Sequence, residues 1–202
     1  MSIYRKCFQK WFNKKKLFIH MEEKWNILAE TYYKGKDISH NIEHIRKVVN
    51  NCKLILKDED DKDNDIDYNK ILLSAYFHDT YDHKYHNKTE IKEIKEKLKK
   101  DLIHLNILEK DIDEIFIIID HISFSKEFAN RQKGIYMDLG KLQHIRNIVS
   151  DADKLESLGL EGLLRMINYE HEVIGYKKND LYSILEQQKK HIYTHFNERL
   201  SL

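Results

Sequence analysis

The sequence predicts an all-α protein, a single-domain helical bundle, and three observations carry that prediction. Apolar residues recur mainly at intervals of three or four, which is the spacing of one face of an amphipathic helix. No segment shows the clear alternation of apolar and polar residues that is typical of a half-buried strand. The 202 residues include no proline, which permits long helices without interruption. A chain of this length favours one domain with a sizeable core.

The first predicted helix is amphipathic and ends near Gly35, because glycine commonly follows the last helical turn. Its apolar residues are Phe18, Met21, Trp25, Leu28 and Tyr32. Asp37 or Ser39 is expected to cap the second helix, which is predicted to carry His40 and His44. Residues 58–67 are acidic and predict a solvated loop. They lack the central glycine and final glutamate of a calcium-binding loop.

Six further segments follow in order. We predict a short helix at about 69–79, a polar loop at 80–87, a charged helix at 89–102, a mostly buried helix at 109–121, an irregular segment at 122–138 and a long helix at 139–157. The next helix begins at Gly159, and Leu160, Leu163, Leu164 and Ile167 are expected to face inward. A last helix is predicted at about 181–200.

Composition narrows the range of partners. The formal net charge of +1 predicts no strong attraction to nucleic acid or to an acidic membrane. The two cysteines form neither a metal motif nor a disulfide framework, which fits a reducing, cytoplasmic compartment. Residues 1–20 are basic and aromatic and predict an extension ahead of a helical domain at 21–202. An amphipathic helix or a poorly ordered extension is favoured there over a targeting or membrane-surface helix.

A histidine and an aspartate, His78 and Asp79, directly follow the apolar run 71–77. A carboxylate beside a buried run needs a partner that offsets the cost of leaving water. A divalent metal ion is one such partner, and imidazole with carboxylate is a common ligand set. His44 lies before the pair, and Asp151 and Asp153 lie after it.

Two choices stay open at this point. Asp151 and Asp153 diverge by roughly 200° on a helix, so only one of them can face a given site. His40 lies one turn from His44 and competes with it as a ligand.

Four stretches of the chain, taken in order, resemble the HD-domain superfamily of metal-dependent phosphohydrolases. They are residues 40–48 (HNIEHIRKV), 77–86 (FHDTYDHKYH), 121–126 (HISFSK) and 151–155 (DADKL). They are similar to the small stand-alone HD hydrolases, some of which act on nucleoside triphosphates. The resemblance spans roughly residues 40 to 165, and it implies an HD-type helical bundle.

The resemblance implies a ligand set for one divalent metal ion, which would be Mn, Mg, Fe, Co, Ni or Zn. The implied ligands are His44, His78, Asp79 and Asp153. The family's Asp-Lys-Leu or Asp-Arg-Leu signature aligns with residues 153–155, which leaves Asp151 as an outer-shell or structural acid.

The resemblance also implies catalytic and substrate-binding residues. Asp82, with the ligand Asp79, would belong to the catalytic centre, and Asp82 would activate water or protonate the leaving group. The implied substrate-binding residues are His40, Lys84, His86, His121 and Lys154. Each has an alternative: Asp82, Lys84, His86 and Lys154 as ordinary surface groups, His40 as an outer-shell group, and His121 as a helix-end histidine that interacts with the helix dipole.

These residues together predict a metal-dependent phosphohydrolase that acts on a phosphate ester or anhydride, most plausibly a nucleotide, through attack of a metal-activated water. The first alternative is a non-catalytic HD module that binds metal and nucleotide as a sensor. The second is a helical scaffold without metal. The expected partner is a small phosphorylated substrate, with neither nucleic acid nor membrane.

Overall fold

The computed structural model describes residues 19–36, 40–59, 67–83 and 85–169. Within those ranges all regular secondary structure is helical, which confirms the all-α prediction. The helices are α1 (19–33), α2 (Ile42–Glu59), α3 (Tyr68–Phe77), α4 (Lys88–His104), α5 (Glu109–Asp120), α6 (Phe124–Gln132), α7 (Gln143–Leu155) and α8 (Gly159–Tyr169). A 3₁₀ turn, Gly140–Leu142, precedes α7.

Helix α3 lies at the centre of the bundle, where it packs against α2, α5 and α7. Every residue from Ile71 to Phe77 is buried. A helix that is apolar on all sides can only be stable when it is covered on all sides. Helix α1 covers another part of this core with Trp25, Ala29 and Tyr33. The carboxyl end of α3, where the His-Asp pair follows, is therefore surrounded by other helices.

Gly35 and Asn41 mark the end of α1 and the start of α2. Gly35, with a φ of +80°, follows the end of α1 as predicted. The side chain of Asn41 accepts hydrogen bonds from the backbone N–H groups of Glu43 and His44, so α2 begins after Asn41. The sequence had suggested that His40 lies within this helix. His40 instead precedes α2. The two caps predicted for this helix, at positions 37 and 39, lie outside the described residues.

Helix α6 corrects the prediction of an irregular segment at 122–138. Among the residues of α6 whose side chains are described, the buried one is the charged Glu127, so a search for apolar periodicity does not detect this helix. Glu127 pairs with Arg131 one turn later at 2.7 Å and with Arg146 of α7 at 2.6 Å. Ion pairs to α7, together with the pair inside α6, stabilise this helix. The apolar pattern of the segment does not predict it.

Helix α8 forms as predicted, but two of its four inward residues are exposed. Leu160 is 72% exposed and Leu164 is 50% exposed, whereas Leu163 and Ile167 are half-buried. The predictions for residues 1–18, for most of the acidic loop and for a helix at 181–200 fall outside the described residues. Among the described residues, none of the helices has both the length and the apolar character needed to cross a membrane.

Candidate metal centre

Two histidine rings, His44 from α2 and His78 from the end of α3, meet in the interior. Both are buried, and their ring centroids lie 5.4 Å apart. Nδ1 of His78 lies 2.9 Å from the carbonyl oxygen of Ala75. Because a carbonyl only accepts, Nδ1 carries the proton of the neutral ring, and Nε2 presents its lone pair to the site. Nε2 of each ring is buried and makes no hydrogen bond.

Two carboxylates face these nitrogen atoms. Oδ2 of Asp79 lies 3.3 Å from Nε2 of His78 and 3.6 Å from Nε2 of His44. Oδ1 of Asp153, from α7, lies 3.2 Å from Nε2 of His44 and 3.6 Å from Nε2 of His78. The possible ligand atoms of His44, His78 and Asp79 all lie within 4.8 Å of one another. Three separate elements thus deliver two nitrogen and two oxygen atoms to one point.

The close charges shift the acid–base behaviour of the site. Burial lowers the pKa of His78, but the carboxylates of Asp79 and Asp153 outweigh it and raise that pKa well above its usual value. Burial raises the pKa of Asp79, yet the two imidazoles hold it well below its usual value, and the same balance applies to Asp153. The site therefore favours a positive charge at its centre, from a proton or from a cation.

This donor set fits a divalent metal ion. Imidazole nitrogen and carboxylate oxygen suit Mn, Fe, Co, Ni, Zn and Mg to different degrees, and the donor types do not choose one ion. The Nε2 atoms without hydrogen bonds are the strongest evidence for a metal ion. A buried polar atom without a partner costs free energy, and a coordinated ion would offset that cost. The cluster of His44, His78 and Asp79 could thus hold one metal ion, and Asp153 lies beside it.

Helix α7 turns its two aspartates in different directions. Asp153 reaches the histidines, whereas the charge of Asp151 acts on Lys154. Lys154 is itself buried, with Nζ 3.3 Å from Oε2 of Glu127, and burial together with the nearby charge of Arg146 lowers the pKa of its amine. The predicted phosphate contact of Lys154 therefore competes with an existing ion pair.

The loop after the His-Asp pair is held by local contacts. The side chain of Asp82 is 12% exposed, and its Oδ1 lies 2.9 Å from Nδ1 of His83. Oη of Tyr85 lies 2.7 Å from Nδ1 of His40, which attaches this loop to the start of α2. The charge of His40 also contributes, as the smallest of five causes, to the low pKa of Asp79.

Two of the other predicted substrate-binding residues, His86 and His121, have contacts within their own segments. Nδ1 of His86 lies 3.6 Å from Oε2 of Glu90. Nδ1 of His121 lies 2.7 Å from the carbonyl oxygen of Ile117, one turn back in α5, as in the helix-end alternative. Lys84 lies outside the described residues.

Sequence reasoning missed two residues that contact a candidate ligand, and it missed a buried arginine on α7. Tyr33 and Lys36 contact the backbone of Asp79, and Arg146 links Glu127 to the carbonyl of His121. For Tyr33 a signal existed, because Trp25, Ala29 and Tyr33 recur at intervals of four. Arg146 lies on the apolar face of α7 in the sequence, but arginine is a residue type that is mostly exposed, so its burial was not expected.

Comparisons with known proteins give structural relatives. The chain is similar to a Lactobacillus plantarum protein solved by structural genomics, with 26% identity, a TM-score of 0.61 and coverage of 79% of this chain and 68% of that one. It is also similar to Bacillus subtilis YpgQ, which was solved in complex with ADP, with 15% identity, a TM-score of 0.51 and coverage of 89% of this chain and 93% of YpgQ. No family model and no curated protein matches the sequence. At 15% identity the likeness to YpgQ shows a shared fold alone.

Proposed function

We propose that this protein is a metal-dependent phosphohydrolase, with a nucleotide as its substrate. The observation that carries the proposal is the pair of buried, unbonded Nε2 atoms of His44 and His78 beside the carboxylates of Asp79 and Asp153. An ordinary buried ion pair would be satisfied by hydrogen bonds. Lone pairs that converge without hydrogen bonds are typical of a ligand set.

The order of these residues in the chain adds support. One histidine, a His-Asp pair and a later aspartate reproduce the pattern of the HD hydrolases that the sequence resembles. A divalent ion in this position would polarise a phosphoryl oxygen and lower the pKa of a water molecule. Phosphate esters and anhydrides are the substrates that such chemistry suits.

The chain's own residues would supply the proton transfers and the binding of phosphate. Asp82 lies on the loop directly after the ligands His78 and Asp79 and is largely buried, so it would accept a proton from the attacking water or give one to the leaving group. His40, positioned by its contact with Tyr85, and His86 offer imidazole N–H donors to phosphate oxygens when protonated. Lys84 lies on the same loop in the sequence.

A nucleotide is proposed as the substrate on two grounds. Some of the stand-alone HD hydrolases that the sequence resembles act on nucleotides. YpgQ, which shares the fold, was solved with ADP. Both grounds concern other proteins, so the substrate class has to be tested directly on this chain.

The test combines metal exchange with a substrate panel. The purified protein is stripped with a chelator and reconstituted with each candidate ion. It is then incubated with nucleoside mono-, di- and triphosphates and with sugar phosphates, and products are identified by phosphorus NMR. We expect turnover that needs the ion and is absent from His78→Ala. Binding of metal and nucleotide without turnover would favour the sensor alternative, and absence of bound metal would favour a helical scaffold.

A further inference from the structure

Tyr33, the last residue of α1, and Lys36, three residues later, both bind the backbone of Asp79. Oη of Tyr33 accepts a hydrogen bond from the backbone N–H of Asp79 at 3.3 Å. Nζ of Lys36 donates to the backbone carbonyl of Asp79 at 2.6 Å. The same two groups reach the next residue, because Tyr33 Oη lies 3.1 Å from Oγ1 of Thr80 and Lys36 Nζ lies 3.4 Å from its carbonyl oxygen.

The position of Asp79 explains why outside partners matter there. Helix α3 ends at Phe77, and His78 is its carboxyl-terminal cap. Backbone groups beyond a helix end have lost their regular partners, and side chains can satisfy them. An amine is also favoured at the carboxyl end of a helix, where the dipole is negative. Lys36 and Tyr33 therefore occupy positions at which their chemistry is useful.

The two side chains also constrain each other. Tyr33 is only 2% exposed, which limits the freedom of its ring. The amine of Lys36 lies 4.8 Å from the centroid of that ring, within the range of a cation–π contact. The aromatic ring thus orients the amine as well as placing its own hydroxyl.

We propose that Tyr33 and Lys36 are positioning residues that fix the orientation of the Asp79 carboxylate toward the metal ion. Neither is a ligand, and both act through the backbone of one. The inference rests on the proposed metal site and extends it to α1, which contributes no residue to the predicted ligand set. Partners of metal ligands commonly change metal affinity by 10- to 100-fold when they are removed.

The test uses Co²⁺ as the probe, because its visible absorption reports both occupancy and ligand geometry. Tyr33→Phe removes the hydroxyl and keeps the ring, and Lys36→Met removes the amine and keeps the stem. The matched controls are Tyr32→Phe, which loses a hydrogen bond to Asp101 at 2.6 Å, and Lys34→Met, at an exposed position in the same segment. Lys36→Arg is the conservative variant, because it keeps a cationic donor.

We expect Tyr33→Phe and Lys36→Met each to weaken Co²⁺ binding by about tenfold and to change the Co²⁺ spectrum. Lys36→Arg should recover part of the affinity, and the two controls should bind as the wild type does. Thermal unfolding in chelator supplies the structural comparison. Tyr33→Phe should differ from Tyr32→Phe in metal affinity even where their stabilities are equal.

The outcomes separate this inference from the proposed function. One outcome is that the wild type binds Co²⁺ while Tyr33→Phe and Lys36→Met show the same Co²⁺ affinity and spectrum as the wild type. That result would overturn the positioning role and leave the proposed metal site unaffected. Wild-type protein that takes up no Co²⁺ would overturn both. A metal-free measurement adds a direct check, since hydrogen exchange at the Asp79 amide should be faster in Tyr33→Phe than in Tyr32→Phe. Equal exchange rates would show that the hydroxyl does not hold this amide.

Discussion

Nε2 of His44 lies 3.2 Å from Oδ1 of Asp153, across the interface between α2 and α7. The two helices pack against each other and against α3. Since α3 ends at the His-Asp pair, this three-helix contact brings both histidines and both carboxylates together. The candidate metal centre is therefore a product of core packing, and changes in either α2 or α7 should reach it.

The first prediction concerns the ligands. Replacing His44, His78, Asp79 or Asp153 by alanine should in each case remove bound metal and activity, because the site needs all its protein donors. Metal content is measured by elemental analysis, with circular dichroism to confirm that each variant is folded. Asp151→Ala is the control and should keep its metal. An Asp153→Ala protein with full metal occupancy, beside an Asp151→Ala protein without metal, would reverse the choice between the two aspartates.

The second prediction separates chemistry from metal binding. Asp82→Asn should keep nearly all of the bound metal and lower the turnover number by about 10²–10⁴, the usual contribution of a general acid or base. Asp113→Asn is the control, because that side chain is 63% exposed and pairs with Lys99. Steady-state kinetics on the best substrate provides the measurement. Wild-type turnover in Asp82→Asn would remove Asp82 from the mechanism.

The third prediction concerns pH and Glu127. Burial alone would raise the pKa of Glu127, but the hydrogen bond from Arg146 and the charges of Lys154 and Arg131 lower it to about 2, from 4.5. A carboxyl group whose pKa is lower in the folded state stabilises the fold above its unfolded pKa and loses that contribution as pH falls. The stabilisation by Glu127 should thus be complete above pH 4.5 and decline between about 4.5 and 2.

Glu127→Gln should reduce the free energy of unfolding at pH 7 by about 2 kcal/mol, since it leaves buried cations without their carboxylate. The difference from wild type should narrow as the pH is lowered from 5 to 3, measured by denaturant unfolding at each pH. Glu93→Gln, at an exposed position on α4, should match wild type throughout. If the difference in unfolding free energy between Glu127→Gln and wild type stays constant down to pH 3, that result would contradict the low pKa of Glu127.

The fourth prediction follows from the sequence position of Lys84, on the loop that begins at the metal ligands. Lysine carries its charge at the end of a long side chain, and such a charge can meet a phosphate not held by the metal. Lys84→Ala should raise KM more for a nucleoside triphosphate than for a monophosphate, and metal affinity should stay unchanged. Lys88→Ala, at an exposed position, is the control. An equal effect across the phosphate series would assign Lys84 to the ordinary surface.

The amino-acid sequence by itself determined the fold class and most helix positions. Apolar spacing located α1, α5 and α8 to within a few residues, because burial of one helical face is a local property of the chain. The His-Asp pair was also recognisable from the local sequence, because it directly follows an apolar run at 71–77. The assignment of His44 and Asp153 as its partner ligands was predicted from the family resemblance and not from composition.

Only the tertiary structure decided how the site is completed. Glu127 is buried because Arg146 and Lys154 of α7 surround its carboxylate, so α6 depends on residues far along the chain. Tyr33 and Lys36 reach Asp79 because α1 packs beside the end of α3. Contacts of this kind join residues that no short-range pattern relates. Local apolar periodicity therefore predicts which segments become helices, whereas the packing of those helices determines which polar groups meet.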